Sequence, residues 1–342
     1  MKSYRSYTPY LLIGPAVLWV VVFGLWPFAN TIFLSFTDAR PLQEVTIVGW
    51  ANYERLFADP QFREALLISL LYAAACVPLL TILPLLIALL VVKKIPGIGF
   101  FRTTSYFPVV ASIVVAGIIW SWLFDSKGII NESLQAMGLT DAPIHFLIDR
   151  WKLLGCAIAL TVWKGLGYYM VVYLAALANM GTQIQEAAAL DGAGWWRRLF
   201  SIVIPSIRSA MILVAALICA SAIRVFSEIY VLSNGTGGPG GLDQSIVMLI
   251  KRVGQGLNGD LGYASAMSVV LFLLTLVPLL VVAYFNLDGR ERLAKMRKRW
   301  KQRSASAGEE APGEAAVLAA SAAGRGRARH SDGGHSRKGE TR

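Results

Sequence analysis

"LLISLLYAAACVPLLTILPLLIALLVV" occupies residues 66–92 and contains no charged side chain. An α-helix of about 20 mostly apolar residues crosses the hydrocarbon core of a bilayer. This run is longer than that. Its two prolines, Pro78 and Pro84, are tolerated in membranes where neighbouring helices satisfy the freed backbone groups.

Five more stretches resemble it on either side: 11–28, 108–124, 153–178, 210–232 and 263–285. The expected fold is therefore an all-α polytopic membrane protein with six transmembrane helices. Lys2 and Arg5 precede the first run, as they would in a signal peptide. No small-residue cleavage site follows it, so it reads as a retained span.

Composition agrees. The chain is 56% hydrophobic and only 15% charged, against about 25% charged in an ordinary soluble domain. Net charge is +11, which raises the question of nucleic acid. From Arg290 onward, however, there are 14 Lys and Arg against 6 acids. Much of the surplus is thus a basic tail beside the membrane, which suits a cytoplasmic face and anionic lipid.

Orientation follows from the density of Lys and Arg in short loops. Residues 93–107 carry three with no acid, whereas 29–65 carry three in a much longer segment. Both termini are expected to be cytoplasmic. So is the segment between spans four and five.

That segment ends in "EAAALDGAGWWRRLFSIVIPSIRS", residues 186–209. It reads as a helix at 183–190, a break at Asp191-Gly192 and a second helix at 195–204. This makes a helix-turn-helix on the membrane face. Glycine permits the positive φ of such a turn. Pro205 is expected to restart the chain into span five. Physics alone allows two readings. Trp195, Trp196 and Phe200 could sit among lipid headgroups with Arg197 and Arg198 on phosphates. Alternatively the segment docks a soluble partner.

Other chemistry is sparse. Cys76, Cys156 and Cys219 show no paired spacing and read as small buried hydrophobes. His330 and His335 lie in the tail and His145 stands alone in a loop, so no metal site assembles. "GTGGPGG" at 235–241 lacks the terminal Gly-Lys-Ser/Thr of a phosphate-binding loop. It reads as a flexible loop after span five, compatible with contact to an outside protein. Charges inside spans are costly and mark function. Lys164 sits deep in span four. Arg224 and Glu228, one turn apart in span five, are expected either to pair with each other or to line a polar pathway. Tyr168, Tyr169, Phe226 and Tyr230 could stack on sugar faces or serve as packing.

The 186–209 segment resembles the cytoplasmic "EAA" loop of permease subunits of binding-protein-dependent ABC importers. Glu186, Ala187, Ala188, Asp191, Gly192, Ala193, Phe200, Ile202 and Pro205 fall on the pattern, and Ser209 departs from it, standing where many members have a second proline. "TTSYFPVVAS", "VWKGLGYYMVVYLAAL", "FSEIYVLSNGTGGPGG" and "GYASAMSVVLFLLTL" resemble the carbohydrate-uptake branch. The likeness runs from about Tyr10 to Leu287. It implies a permease domain at 10–287 with its coupling loop at 183–206, and the tail has no counterpart in it. Charge and composition give a cytoplasmic N-terminus at 1–9, a basic juxtamembrane segment at 288–304 and a disordered tail at 305–342.

The resemblance further implies a second permease subunit in a heterodimer, two ATPase subunits and an extracytoplasmic binding protein, all in a bacterial or archaeal inner membrane. The chain itself would then be no enzyme and bind no cofactor, ATP and Mg residing on the ATPase. In the coupling loop, the three alanines allow close approach to the ATPase, Glu186 pairs with a basic residue there, Asp191 braces the turn and Gly192 supplies the bend. The family tends to have a basic residue where Arg224 stands and an acid at or beside Glu228. Sugar-phosphate or glycerol-phosphate derivatives are the alternative substrates. An ion-coupled secondary transporter is the alternative class, with Glu228 the single intramembrane acid available to it.

Overall fold

The computed structural model describes residues 8–92, 96–180 and 192–285. The chain divides into two units, Met1–Ala283 and Tyr284–Arg342. Of the second, only Tyr284 and Phe285 are among the described residues. The juxtamembrane segment, the tail and positions 183–191 of the coupling loop lie outside them.

The described residues form helices joined by turns, with one isolated antiparallel bridge between Thr37 and Ile47. Five helices are long and apolar enough to cross a membrane. These are α1 (Tyr10–Leu34), α3 (Pro60–Val91), α7 (Arg150–Ala178), α8 (Trp195–Ala222) and α11 (Leu261–Phe285). A bent pair, α4 (Ile98–Val110) and α5 (Ile113–Leu123), makes a sixth if counted as one. Shorter helices are α2 (Ala51–Ala58), α6 (Ile129–Ala136), α9 (Ser227–Leu232) and α10 (Ile246–Gly254).

Two expected spans are not single rods. The third turns by 97° at Ala111-Ser112, where both residues take extended ψ of 137° and 132°. The fifth ends at Ala222 and restarts as α9 after Phe226, whose φ is −142°. The chain closes this second break on itself. Arg224 N–H and Val225 N–H donate to the carbonyls three residues back, at 3.1 Å each, and Arg224 Nε donates to Ala220 O at 2.9 Å.

Pro205 does not restart the chain. Helix α8 runs through it without a break, because Leu199–Val203 widens into a π-turn and Ile204 N–H reaches Leu199 O. The same device precedes Pro27 in α1, where Val21–Leu25 widens and Trp26 N–H reaches Val21 O. A proline ring clashes with the carbonyl four residues earlier. One wide turn just before it moves that carbonyl aside.

The helix starts are set by side chains. Asp59 accepts from Gln61 N–H at 2.8 Å and is followed by Pro60 at the first turn of α3. Asp149 caps α7 and Ser245 caps α10 in the same way. These caps satisfy donors that a helix N-terminus leaves free. At the other end of α3, Arg102 donates to Val91 O at 2.6 Å, placing a cation on the helix's negative terminus.

The core sits where α3 meets α7 and α8. In lipid no hydrophobic force joins helices, so close contact between small residues matters most. Ala65, Ser69 and Ala73 recur every fourth residue on the buried face of α3, next to buried Cys76. Ser69 Oγ on this face accepts from Ile246 N–H of α10 at 3.1 Å, and Ala157 and Leu160 of α7 are fully buried. Tyr72 adds a hydrogen bond to Ala157 O at 3.3 Å and one to Thr161.

One end of the bundle is closed by a polar cap. Arg55 bonds Asp260 at 2.7 Å and lies over the Tyr263 ring, 4.0 Å from its centroid. Tyr263 Oη donates to Asp59 at 2.7 Å, and Arg252 donates to Gln61 at 2.8 Å. These bonds fasten α2, α3, α10 and α11 together.

Candidate functional site

A cavity of about 350 Å³ opens at the level of the two helix breaks. Helix α3 gives it Tyr72, Cys76 and Leu80, and the end of α4 gives Val109. Helix α7 gives Thr161, Lys164, Gly165, Tyr168 and Tyr169. The end of α8, the second break and the start of α9 complete it with Ser221, Arg224, Phe226, Ser227 and Glu228. Its size and mixed lining fall within the range of small-molecule sites.

Six of the seven expected pathway residues line this space: Lys164, Tyr168, Tyr169, Arg224, Phe226 and Glu228. Tyr230 does not. It lies behind Phe226, with ring centroids 4.9 Å apart and planes 24° from parallel. The Lys251 ammonium from α10 covers that pair, 4.2 Å from the Tyr230 centroid. Tyr168 and Tyr169 meet edge to face at 5.1 Å.

Arg224 and Glu228 do not form the expected pair. No salt bridge joins them among the described residues. Four-residue spacing makes neighbours only on a continuous helix, and the break at 223–226 lies between them. Among the described residues the Arg224 fork is engaged only through Nε, on Ala220 O, and the Glu228 carboxylate forms no ion pair; both line the cavity. Lys164 differs from them, since its ammonium is taken up by backbone carbonyls of the α4–α5 bend.

Tyr72, Thr161, Ser221 and Ser227 were not singled out from sequence, and Cys76 reads from sequence only as a small buried hydrophobe. The small-residue face of α3 could have pointed to Tyr72 and Cys76. Nothing local distinguishes the two serines.

Beside the cavity, the glycine-rich segment is not a free loop. Gly237 N–H donates to Ser233 Oγ at 2.9 Å, and Asp243 N–H to Gly237 O at 2.8 Å. Gly237 and Gly238 have φ of 73° and 77°, and a Cβ on Gly238 would meet Asp243 Oδ2 at 2.3 Å. The turns seal Asp243, which is fully buried, with its Oδ1 3.7 Å from Arg150 Nε. Arg150 spends its closest contact on Glu64 at 2.6 Å. Burial, only partly offset by Arg150 and reinforced by Asp149, pushes the Asp243 carboxyl up to about 7.

At the opposite end of α8, five of the nine coupling-loop positions fall among the described residues: Gly192, Ala193, Phe200, Ile202 and Pro205. Gly192 has φ of 71° with open space around it, as a tight turn requires. Ala193 is half-buried beside it. Phe200 is exposed and stacks with Trp196, planes 10° apart. Leu199, Val203 and Ile207 face inward from the same helix, which includes Pro205. Glu186, Ala187, Ala188 and Asp191 lie outside the described residues.

Residues 57–292 match the family described as the binding-protein-dependent transport system inner membrane component. The lactose transport system permease protein LacF of Rhizobium radiobacter is 30% identical over 279 residues, covering 81% of this chain and 93% of that one. The arabinooligosaccharides transport system permease protein AraP of Halalkalibacterium halodurans is 30% identical over 287 residues, covering 81% and 89%. A chain of a bacterial alginate ABC transporter, crystallised with an alginate pentasaccharide-bound periplasmic protein, superposes with a TM-score of 0.70 at 24% identity. That superposition covers 81% of this chain and 93% of the other, and shows a common fold.

Proposed function

This chain belongs to the family of binding-protein-dependent transport system inner membrane components, and we propose that it is the permease subunit of an ABC importer carrying a sugar or oligosaccharide into the cell. The observation that carries the sugar reading is the family match together with relatives named for lactose and arabinooligosaccharides. The cavity's chemistry supports it. Sugars present hydroxyls and flat C–H faces. Glu228 offers acceptors, Arg224 donors, and Tyr168, Tyr169 and Phe226 aromatic surface.

In this reading the end bearing Gly192 faces the cytoplasm. The helix-turn-helix there docks an ATPase through Glu186, Ala187, Ala188, Asp191, Gly192, Ala193, Phe200 and Pro205. ATP binding closes the ATPase dimer and rocks two permeases, this one and a different partner. An extracytoplasmic binding protein supplies the solute at the capped end.

Pull-down of the chain from its native membrane in mild detergent tests the assembly. Recovery of an ATPase and a second polytopic chain is expected. Labelled-sugar uptake into vesicles should then require ATP inside and the binding protein outside. Uptake driven by an ion gradient without ATP would overturn the reading in favour of a secondary transporter.

A further inference from the structure

Lys164 stands near the middle of α7, where a bare ammonium is most costly. Its surroundings explain it. Helix α4 stops at Val110, and α5 leaves at 97°. Such a stop strips the last carbonyls of α4 of their helical donors. In water they would be hydrated, but within a membrane protein they are satisfied by protein or by water in a cavity. No side chain caps the start of α5.

Lys164 Nζ donates to Pro108 O at 3.3 Å, Val109 O at 3.2 Å and Ala111 O at 2.5 Å. A lysine has three donors, and all three are used. Its charge also sits at the negative end of the α4 dipole. The neighbouring glycine makes the reach possible. A Cβ on Gly167 would lie 2.3 Å from Ser105 O and 2.8 Å from Tyr106 Cα, so only glycine lets α7 come this close to α4. The motif Trp163-Lys164-Gly165-Leu166-Gly167 is thus a docking strip plus a fastener.

We propose that Lys164 is a positioning residue for transport. It fastens the α4–α5 bend to α7, holding Val109 in the cavity wall, and does not itself contact the transported solute. The uptake part of the test below rests on the importer reading. The distance part does not, so failure of one is separable from failure of the other.

The assembled complex would be spin-labelled through encoded ketone amino acids at Phe101 on α4 and Trp122 on α5, leaving the native cysteines intact. Both sites are exposed. Lys164→Met is expected to broaden or shift the Phe101–Trp122 distance distribution, with solute present or absent. Lys164→Arg, which keeps donors and charge, is expected to retain it. In uptake, Lys164→Met should lower the maximal rate about tenfold or more, as misplacement of a site wall does, with KM unchanged within about twofold. Should Lys164→Met fail to accumulate, Lys164→Gln carries the same comparison. An unchanged distance distribution in the methionine or glutamine variant would overturn the proposal. So would a raised KM at preserved maximal rate, which would mark Lys164 as a solute ligand.

Discussion

Gly167 of α7 backs directly onto the Ser105 carbonyl of α4, so closely that a Cβ would sit 2.3 Å from that oxygen. The obstacle is backbone, which cannot swing aside as a flexible side chain can. Gly167→Ala should therefore destabilise the bundle by about 2–3 kcal/mol, the cost of overpacking a close contact. Gly155 lies on the same helix with nothing within 4 Å. Gly155→Ala should be neutral or slightly stabilising, since alanine favours helix over glycine. Thermal unfolding of the two variants in the same detergent checks the contrast.

Asp243 predicts a pH dependence of unusual sign. Its folded-state pKa is raised from 3.8 to about 7, so the folded chain holds that proton when the unfolded chain has lost it. Stability from this group is present below about pH 4 and declines as pH rises to about 7. Asp149, held below its ordinary value chiefly by the Lys152 backbone N–H, acts in the opposite sense at lower pH. Asp243→Asn removes only the first effect. The difference in melting temperature, variant minus parent, should grow between pH 4 and 7 and level off above. A constant difference would show that burial does not hold Asp243 protonated.

Glu228 lines the cavity and forms no ion pair among the described residues, and a hydrogen bond to a charged group is worth about 1.5–3 kcal/mol. Glu228→Gln keeps the shape and removes the charge. Sugar uptake at fixed binding-protein concentration should fall by roughly tenfold to a hundredfold. Insertion into the membrane should be unaffected. Phe226→Leu, which loses the stack on Tyr230 as well as aromatic surface on the cavity, should also reduce uptake. Uptake at parental rates in both variants would remove the cavity from the pathway.

Gly192 and Gly194 both have open space where a Cβ would point, but only Gly192 has a positive φ. Gly194→Ala should therefore be tolerated. Gly192→Ala should strain the turn by about 1 kcal/mol. Gly192→Arg should abolish uptake while protein level and membrane insertion persist, because a long side chain stands at the proposed ATPase contact. Co-purification of the ATPase with each variant reads this directly.

The apolar runs were legible because hydropathy is a local sum. Residues 66–92 and 153–178 need no partner to declare themselves; α3 covers the first as far as Val91 and α7 covers the second. The two broken spans were not legible. Ala111-Ser112 and Ile223–Phe226 contain neither glycine nor proline, and both lie in sequence that reads as continuous helix. The first break stands because Lys164, more than fifty residues away, supplies the donors that its carbonyls lose. The second stands because Arg224 and its neighbours bond back onto the end of α8.

The candidate site divides in the same way. Sequence alone determined which residues were costly enough in a bilayer to need a reason: Lys164, Arg224 and Glu228. The tertiary structure decided what each is available to do. It commits the Lys164 ammonium to backbone, separates Arg224 from Glu228 by a helix break, and buries Asp243 under a run of glycines that reads as a loose loop. The physical reason is that a charge is recognisable from its own chemistry, whereas its partner is set by which helices pack together, and that depends on contacts between segments far apart in the chain.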